Sequence, residues 1–152
     1  TANATVEVGS TSPDLCSSAA LASAVLVGQT YPDYSQFSGG ASFTKAWTIR
    51  NTGACTWPTT FAARFISGQM STSKAPRPLA VAVLPNSTYT FGIEMRAPVA
   101  VSDMTTYSDV WQFQDAAGAG VRGSSGLTTT ITVLSATPAS CTSAADAEVA
   151  FV

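Results

Sequence analysis

Phe43–Pro58 reads FTKAWTIRNTGACTWP and decides the fold. Its first eight residues alternate: Phe43, Lys45, Trp47 and Ile49 on one side, Thr44, Ala46, Thr48 and Arg50 on the other. That period of two is a β-strand with one face on a core. Asn51-Thr52-Gly53 breaks it, since Asn and Gly accept backbone angles that other residues resist. Cys55 and Trp57 follow at once. A strand with a large aromatic, a tight turn, a cysteine and a second large aromatic make a rigid pin in a small extracellular β-domain.

Outward from this strand, seven strand candidates lie near residues 22–28, 42–50, 60–66, 79–84, 87–96, 106–114 and 127–134. Alternation is clearest in Tyr89, Phe91, Ile93, Met95 and in Leu127, Thr129, Ile131, Val133. No segment has a capped helical period, though Ser17–Val25 is Ala-rich and could open as a short helix. Short strands at regular spacing with Gly and Pro between them predict an all-β, seven-stranded antiparallel sandwich. It would occupy about 22–134, with an N-terminal tail 1–21 and a C-terminal tail 135–152. Ser67–Arg77 and Asp115–Gly126 are expected to be surface loops. Each tail holds a short β-like piece, Ala4–Val8 with Val6 and Val8 on one face, and Glu148–Val152 with Val149 and Phe151. Both tails are expected to be held in place, and a Ser/Thr/Ala tail has little of its own to hold on with.

The 152 residues suffice for one domain with a real core. Only 11% are charged, against a usual ~25%, so Thr, Ser, Ala and Gly cover the surface. Such a surface repels its own copies weakly and favours dense assembly, although it is also common in secreted proteins. A net charge of −2 without a basic cluster argues against nucleic acid. No apolar run approaches the roughly 18 residues of a membrane helix. A first residue of Thr1 suggests a removed leader and hence secretion, and three cysteines agree with an oxidising compartment. Asn3-Ala4-Thr5 and Asn86-Ser87-Thr88 fit the glycosylation triplet, which Thr-rich sequence also produces by chance.

With no histidine in the chain, Ser-His-Asp and Cys-His catalysis and most zinc sites are excluded. The nine carboxylates lack a calcium-loop spacing. Asp103 and Asp109 could form a distant acid/base couple, but solvated loop carboxylates are the simpler reading. Gly123–Gly126 has no helix after it and is a loop rather than a phosphate cradle. The expectation is a non-enzyme without metal or cofactor. Lys45 faces inward with Trp47; it could form an isopeptide bond with inward-facing Asp109, or snorkel its ammonium to water over a tryptophan. Trp47 and Trp111 should fill the core and Trp57 close one end. Tyr31, Tyr34 and Phe37 are the more exposed aromatics, and with Met70 they could form an apolar contact patch.

Four segments together resemble the Ig-like "four-tryptophan" domain, found in a eukaryotic selective-autophagy receptor and in bacterial surface proteins. They are Phe43–Pro58, TYPDYSQFSGG (Thr30–Gly40), LPNSTYTFGIEMRAP (Leu84–Pro98) and TYSDVWQFQDAAG (Thr106–Gly118). The resemblance spans about 22–134 and implies an Ig-like sandwich. Only Trp47, Trp57 and Trp111 are present, and Leu127-Thr128 stands where the fourth tryptophan is expected. The family carries lysine at the place of Lys45 without an isopeptide bond.

The cysteines follow from topology. If strands alternate in direction, Cys16 before the first and Cys55 after the second share a pole, and bacterial members of the resembled family often pair cysteines there. Cys141 follows the seventh strand at the opposite pole. Its six or seven linking residues, at ~3.3 Å each, barely reach back, so it is free or paired with another chain. Two functions are then open. The first is a secreted structural subunit of an extracellular filament or surface assembly, joined head to tail with other copies of itself by strand addition from a tail. The second is a cell-surface adhesion module that binds proteins or glycans through its aromatic loop.

Overall fold

The computed structural model describes residues 14–100, 102, 104–124 and 127–135. A 3-10 turn at Ala19–Leu21 precedes eight strands: β1 (Ala24–Gln29), β2 (Ser35–Ser38), β3 (Ser42–Asn51), β4 (Ala62–Ser67), β5 (Arg77–Pro78), β6 (Thr88–Arg96), β7 (Thr105–Gln114) and β8 (Thr128–Leu134). They form two sheets, β1-β3-β6 and β2-β8-β7-β4-β5. The architecture is an Ig-like all-β sandwich, with the alternating faces of its strands turned to a shared core. The odd-numbered residues Phe43 to Asn51 of β3 are buried. They meet Phe91, Ile93 and Met95 of β6 and, from the opposite sheet, Trp111, Phe113, Ile131 and Val133 in one core.

Two strand expectations need correction. There are eight strands rather than seven, and β2 runs parallel to β8, with Ser35 opposite Ile131 and Ser38 opposite Leu134. The segment SQFS is too short and polar to read as a strand. It pairs because the chain leaves β1 in the small sheet and crosses to the edge of the large one. The expected strand at 79–84 is not one: β5 is Arg77–Pro78, and only Val83 bridges, to Trp57. Leu79 and Val83 are buried and Val81 exposed, a strand period without a strand beside it. The Ala-rich start does form the short helical turn, of one turn only.

The packed body begins before the expected boundary. The Cys16 N–H donates to Thr56 O at 2.8 Å, and Cys16, Ala19 and Ala22 are buried. The two expected surface loops are also tied inward: Met70, Ser71, Val121 and Ser124 are buried. Cys141, Val6, Val8, Val149 and Phe151 lie outside the described residues. So do Asp103, Asn3 and the bulk of both tails, including the expectation that the tails are held.

Strand directions fix the poles. β3 runs from Ser42, opposite Arg96, to Asn51, opposite Ala24. β8 ends where β7 begins, with Val133 opposite Thr105, at the pole of Ser42 and Arg96. The chain therefore enters the sandwich at the Asn51 pole and leaves it at the other.

Candidate functional site

Cys16 and Cys55 form a disulfide with Cα atoms 5.1 Å apart, pinning the entering chain to the turn after β3. Asn51 braces the same turn: its amide donates to Cys55 O and Val83 O, both at 2.9 Å, and its Oδ1 accepts the Gly53 N–H. Trp47, Trp57 and Trp111 are fully buried. Trp57 packs on Phe113 at 4.7 Å between centroids and closes this pole from within. Leu127 is fully buried too, and its carbonyl accepts the Trp111 backbone N–H at 2.8 Å.

Asp109 and Asp115 are buried carboxylates, not solvated ones. Asp109 gathers the loop after β4. Its Oδ1 accepts the N–H of Gln69 (2.9 Å) and Met70 (3.0 Å), and its Oδ2 the N–H (2.8 Å) and hydroxyl (2.6 Å) of Ser71. Trp111 Nε1 donates to the same Ser71 hydroxyl at 3.0 Å. This clamp turns Met70 into the core at 1% exposure, so Met70 does not belong to a surface patch. Asp115 reaches 96 residues back to accept the Ala19 N–H at 2.8 Å. That bond first, and the Ala119 N–H next, hold its carboxyl below the usual range. An inward register was the only sequence signal for Asp109. Nothing local in the sequence marks the partners of Asp109 or the Ala19 partner of Asp115, whereas the bonds of Asp115 to the N–H groups of Ala117 and Ala119 are those of a local turn.

Lys45 is fully buried and neither snorkels to water nor meets Asp109. Its ammonium donates to Gln29 Oε1 (2.6 Å), Thr30 O and Tyr31 O (2.8 Å), with the Trp47 ring centroid 5.8 Å away. Burial lowers its pKa from the ordinary lysine value, while the charge of Asp33 pulls the other way. The isopeptide reading is therefore set aside: the ammonium and the carboxylate each have their own partners.

Above Lys45 stands the turn between β1 and β2. Tyr31 sits edge-on to Phe37 (5.1 Å) and Phe43 (5.6 Å), and Phe37 stacks on Phe43 at 4.2 Å. Phe37 is half-buried, whereas Tyr31 is 40% and Tyr34 65% exposed. Two of the four expected patch residues, Tyr31 and Phe37, are thus brought into contact, and Tyr34 stands exposed in the same turn.

The poles carry apolar surface of their own. At the entry pole Leu15 and Leu21 are exposed beside Asp14, Ala54 and Cys55, around an open notch of about 500 Å³. At the exit pole Val99 and Met104 are exposed, with Arg96, Ala97 and Pro98 beside Val99. The small sheet has an open edge as well. Thr72, Met70 and Arg77 bond to the Gly92–Arg96 half of β6, while among the described residues no strand pairs with its outer side over Thr88–Phe91.

The model of the family described as "Ig-like domain from next to BRCA1 gene" matches residues 30–133. The chain belongs to this family of Ig-like domains. No curated protein matches it. The match covers the aromatic turn, both sheets from β2 onward and the exit pole. It begins after β1, so the disulfide-pinned entry segment precedes it. Among the described residues no group of His, Cys, Asp and Glu could hold a metal, and no helix is long and apolar enough to cross a membrane.

Proposed function

We propose that this Ig-like domain is a secreted, non-enzymatic structural subunit of an extracellular filament or surface assembly, joined head to tail with other copies of itself. The observation that carries this reading is that the chain enters a braced sandwich at one pole and leaves at the other. Repeating one such contact gives a fibre when the rotation does not close. The Cys16–Cys55 disulfide supports an oxidising compartment. The uncharged surface, with 11% charged residues, supports close packing.

In this reading a flanking segment of one copy adds as a strand to an open edge of the next. Thr5–Val8, which alternates as an edge strand does, is the preferred donor. Residues 1–13, drawn out at ~3.3 Å each, reach about 43 Å, further than β3 is long. The C-terminal Glu148–Val152, anchored by Phe151, is the other candidate donor. Within its family we place the chain with the four-tryptophan type, Leu127 standing for the missing ring.

The test is electron microscopy and sedimentation of the full chain beside a variant lacking Thr1–Ser10. The full chain is expected to form filaments that persist in moderate salt. The shortened one should keep its circular dichroism spectrum and melting temperature yet stay monomeric. Filaments from the shortened chain would move the donor to the C-terminal segment. An intact chain that stays monomeric at high concentration ends the assembly reading.

A further inference from the structure

The turn between β1 and β2 has an unusual backbone. Tyr31 and Tyr34 both sit at positive φ, 49° and 68°. A bulky side chain rarely takes this conformation, and such outliers cluster where a site is held ready for a ligand. Pro32–Ser35 closes as a tight turn, the Ser35 N–H donating to Pro32 O at 3.1 Å. Tyr34 is the third residue of that turn, where positive φ calls for Gly or Asn. Its ring stacks on no other aromatic among the described residues and is left largely in solvent. Glycine would serve the backbone better here, so the backbone does not account for the phenol.

The strain is held from beneath. The Lys45 ammonium grips Thr30 O and Tyr31 O, and Phe37 and Phe43 support the Tyr31 ring. Buried under the turn and occupied by three acceptors, that ammonium offers no cation to an anionic ligand. What the turn offers outward is two phenol rings, the Asp33 carboxylate and the Gln36 carboxamide, all exposed. At ~150–250 Å² per buried aromatic, the exposed parts of the two rings amount to roughly 200 Å². A stable protein interface needs ~800 Å² per partner, so the turn is too small to be one alone.

We propose that this turn is a binding site for a neutral oligosaccharide. The C–H faces of successive pyranose rings lie on Tyr31 and Tyr34, and their hydroxyls bond to Asp33 and Gln36. The site lies on the flank of the sandwich and does not depend on assembly.

The test uses an array of neutral oligosaccharides, including cellohexaose, chitohexaose, xylohexaose and mannohexaose, with the full chain and three variants. The full chain is expected to bind at least one of them. Tyr34→Gly should weaken binding about tenfold or more while its melting temperature stays level or rises. Tyr31→Ala should also lose binding, and Val81→Ala, at another exposed apolar position, should not. The proposal is overturned if none of the sugars binds, or if Tyr34→Gly binds as well as the parent. It is overturned equally if Tyr34→Gly melts markedly lower, since the ring would then serve the fold, or if the turn answers only to a protein.

Discussion

Replacing Asp109 by alanine tests the clamp that shapes the exit pole. The carboxylate is fully buried and accepts three backbone N–H groups, of Gln69, Met70 and Ser71, and the Ser71 hydroxyl. Each buried donor left without a partner costs ~1–3 kcal/mol. The Gln69 N–H is nearer the surface and can turn to water, and the hydroxyl can rotate. That leaves chiefly the Met70 and Ser71 N–H groups stranded, with the Trp111–Ser71 bond loosened. The burial cost of the carboxylate itself is relieved, so the net loss should be about 3 kcal/mol for Asp109→Ala. Asp109→Asn keeps one acceptor oxygen but turns an amide N–H₂ toward another N–H, and should lose about 2 kcal/mol. Urea unfolding followed by tryptophan fluorescence reads both. With a slope near ~1.5 kcal/mol/M, the alanine midpoint should fall by about 2 M. Gly68 supplies a second handle: at φ 128° a Cβ there would collide with the Asp109 carboxylate and crowd its Cα. Gly68→Ala should therefore be severe alone and less than additive with Asp109→Ala. A loss below about 1 kcal/mol for Asp109→Ala, or an asparagine variant worse than the alanine one, would refute the clamp.

Two further outcomes are expected. The folded pKa of Asp115 lies below its unfolded value, so its contribution is whole above about pH 5 and fades as pH falls through the folded pKa. The gap in melting temperature between the parent and Asp115→Asn should be flat above about pH 5 and close on acidification; a gap that widens in acid contradicts the assignment. Opening the disulfide with Cys16→Ser and Cys55→Ser together, a separation of 39 residues, should cost about 2–4 kcal/mol by calorimetry. An unchanged unfolding profile would mean that the entry segment is held without it.

The sandwich was legible because period-two burial is a local property. Phe43 to Ile49 and Tyr89 to Met95 carry their inward face in their spelling, and the alternating directions that follow put Cys16 beside Cys55. Three things needed the tertiary structure. SQFS became a strand only because β8 offered it a parallel edge. Lys45, read from its register as a lysine reaching for water or for Asp109, is enclosed by carbonyls from a turn fourteen to fifteen residues away. Asp109 draws its partners from 38 to 40 positions along the chain, and Asp115 adds to its two local bonds one from 96 positions away. Hydrophobic alternation is written residue by residue, whereas the satisfaction of a buried charge depends on which distant backbone groups the fold delivers to it.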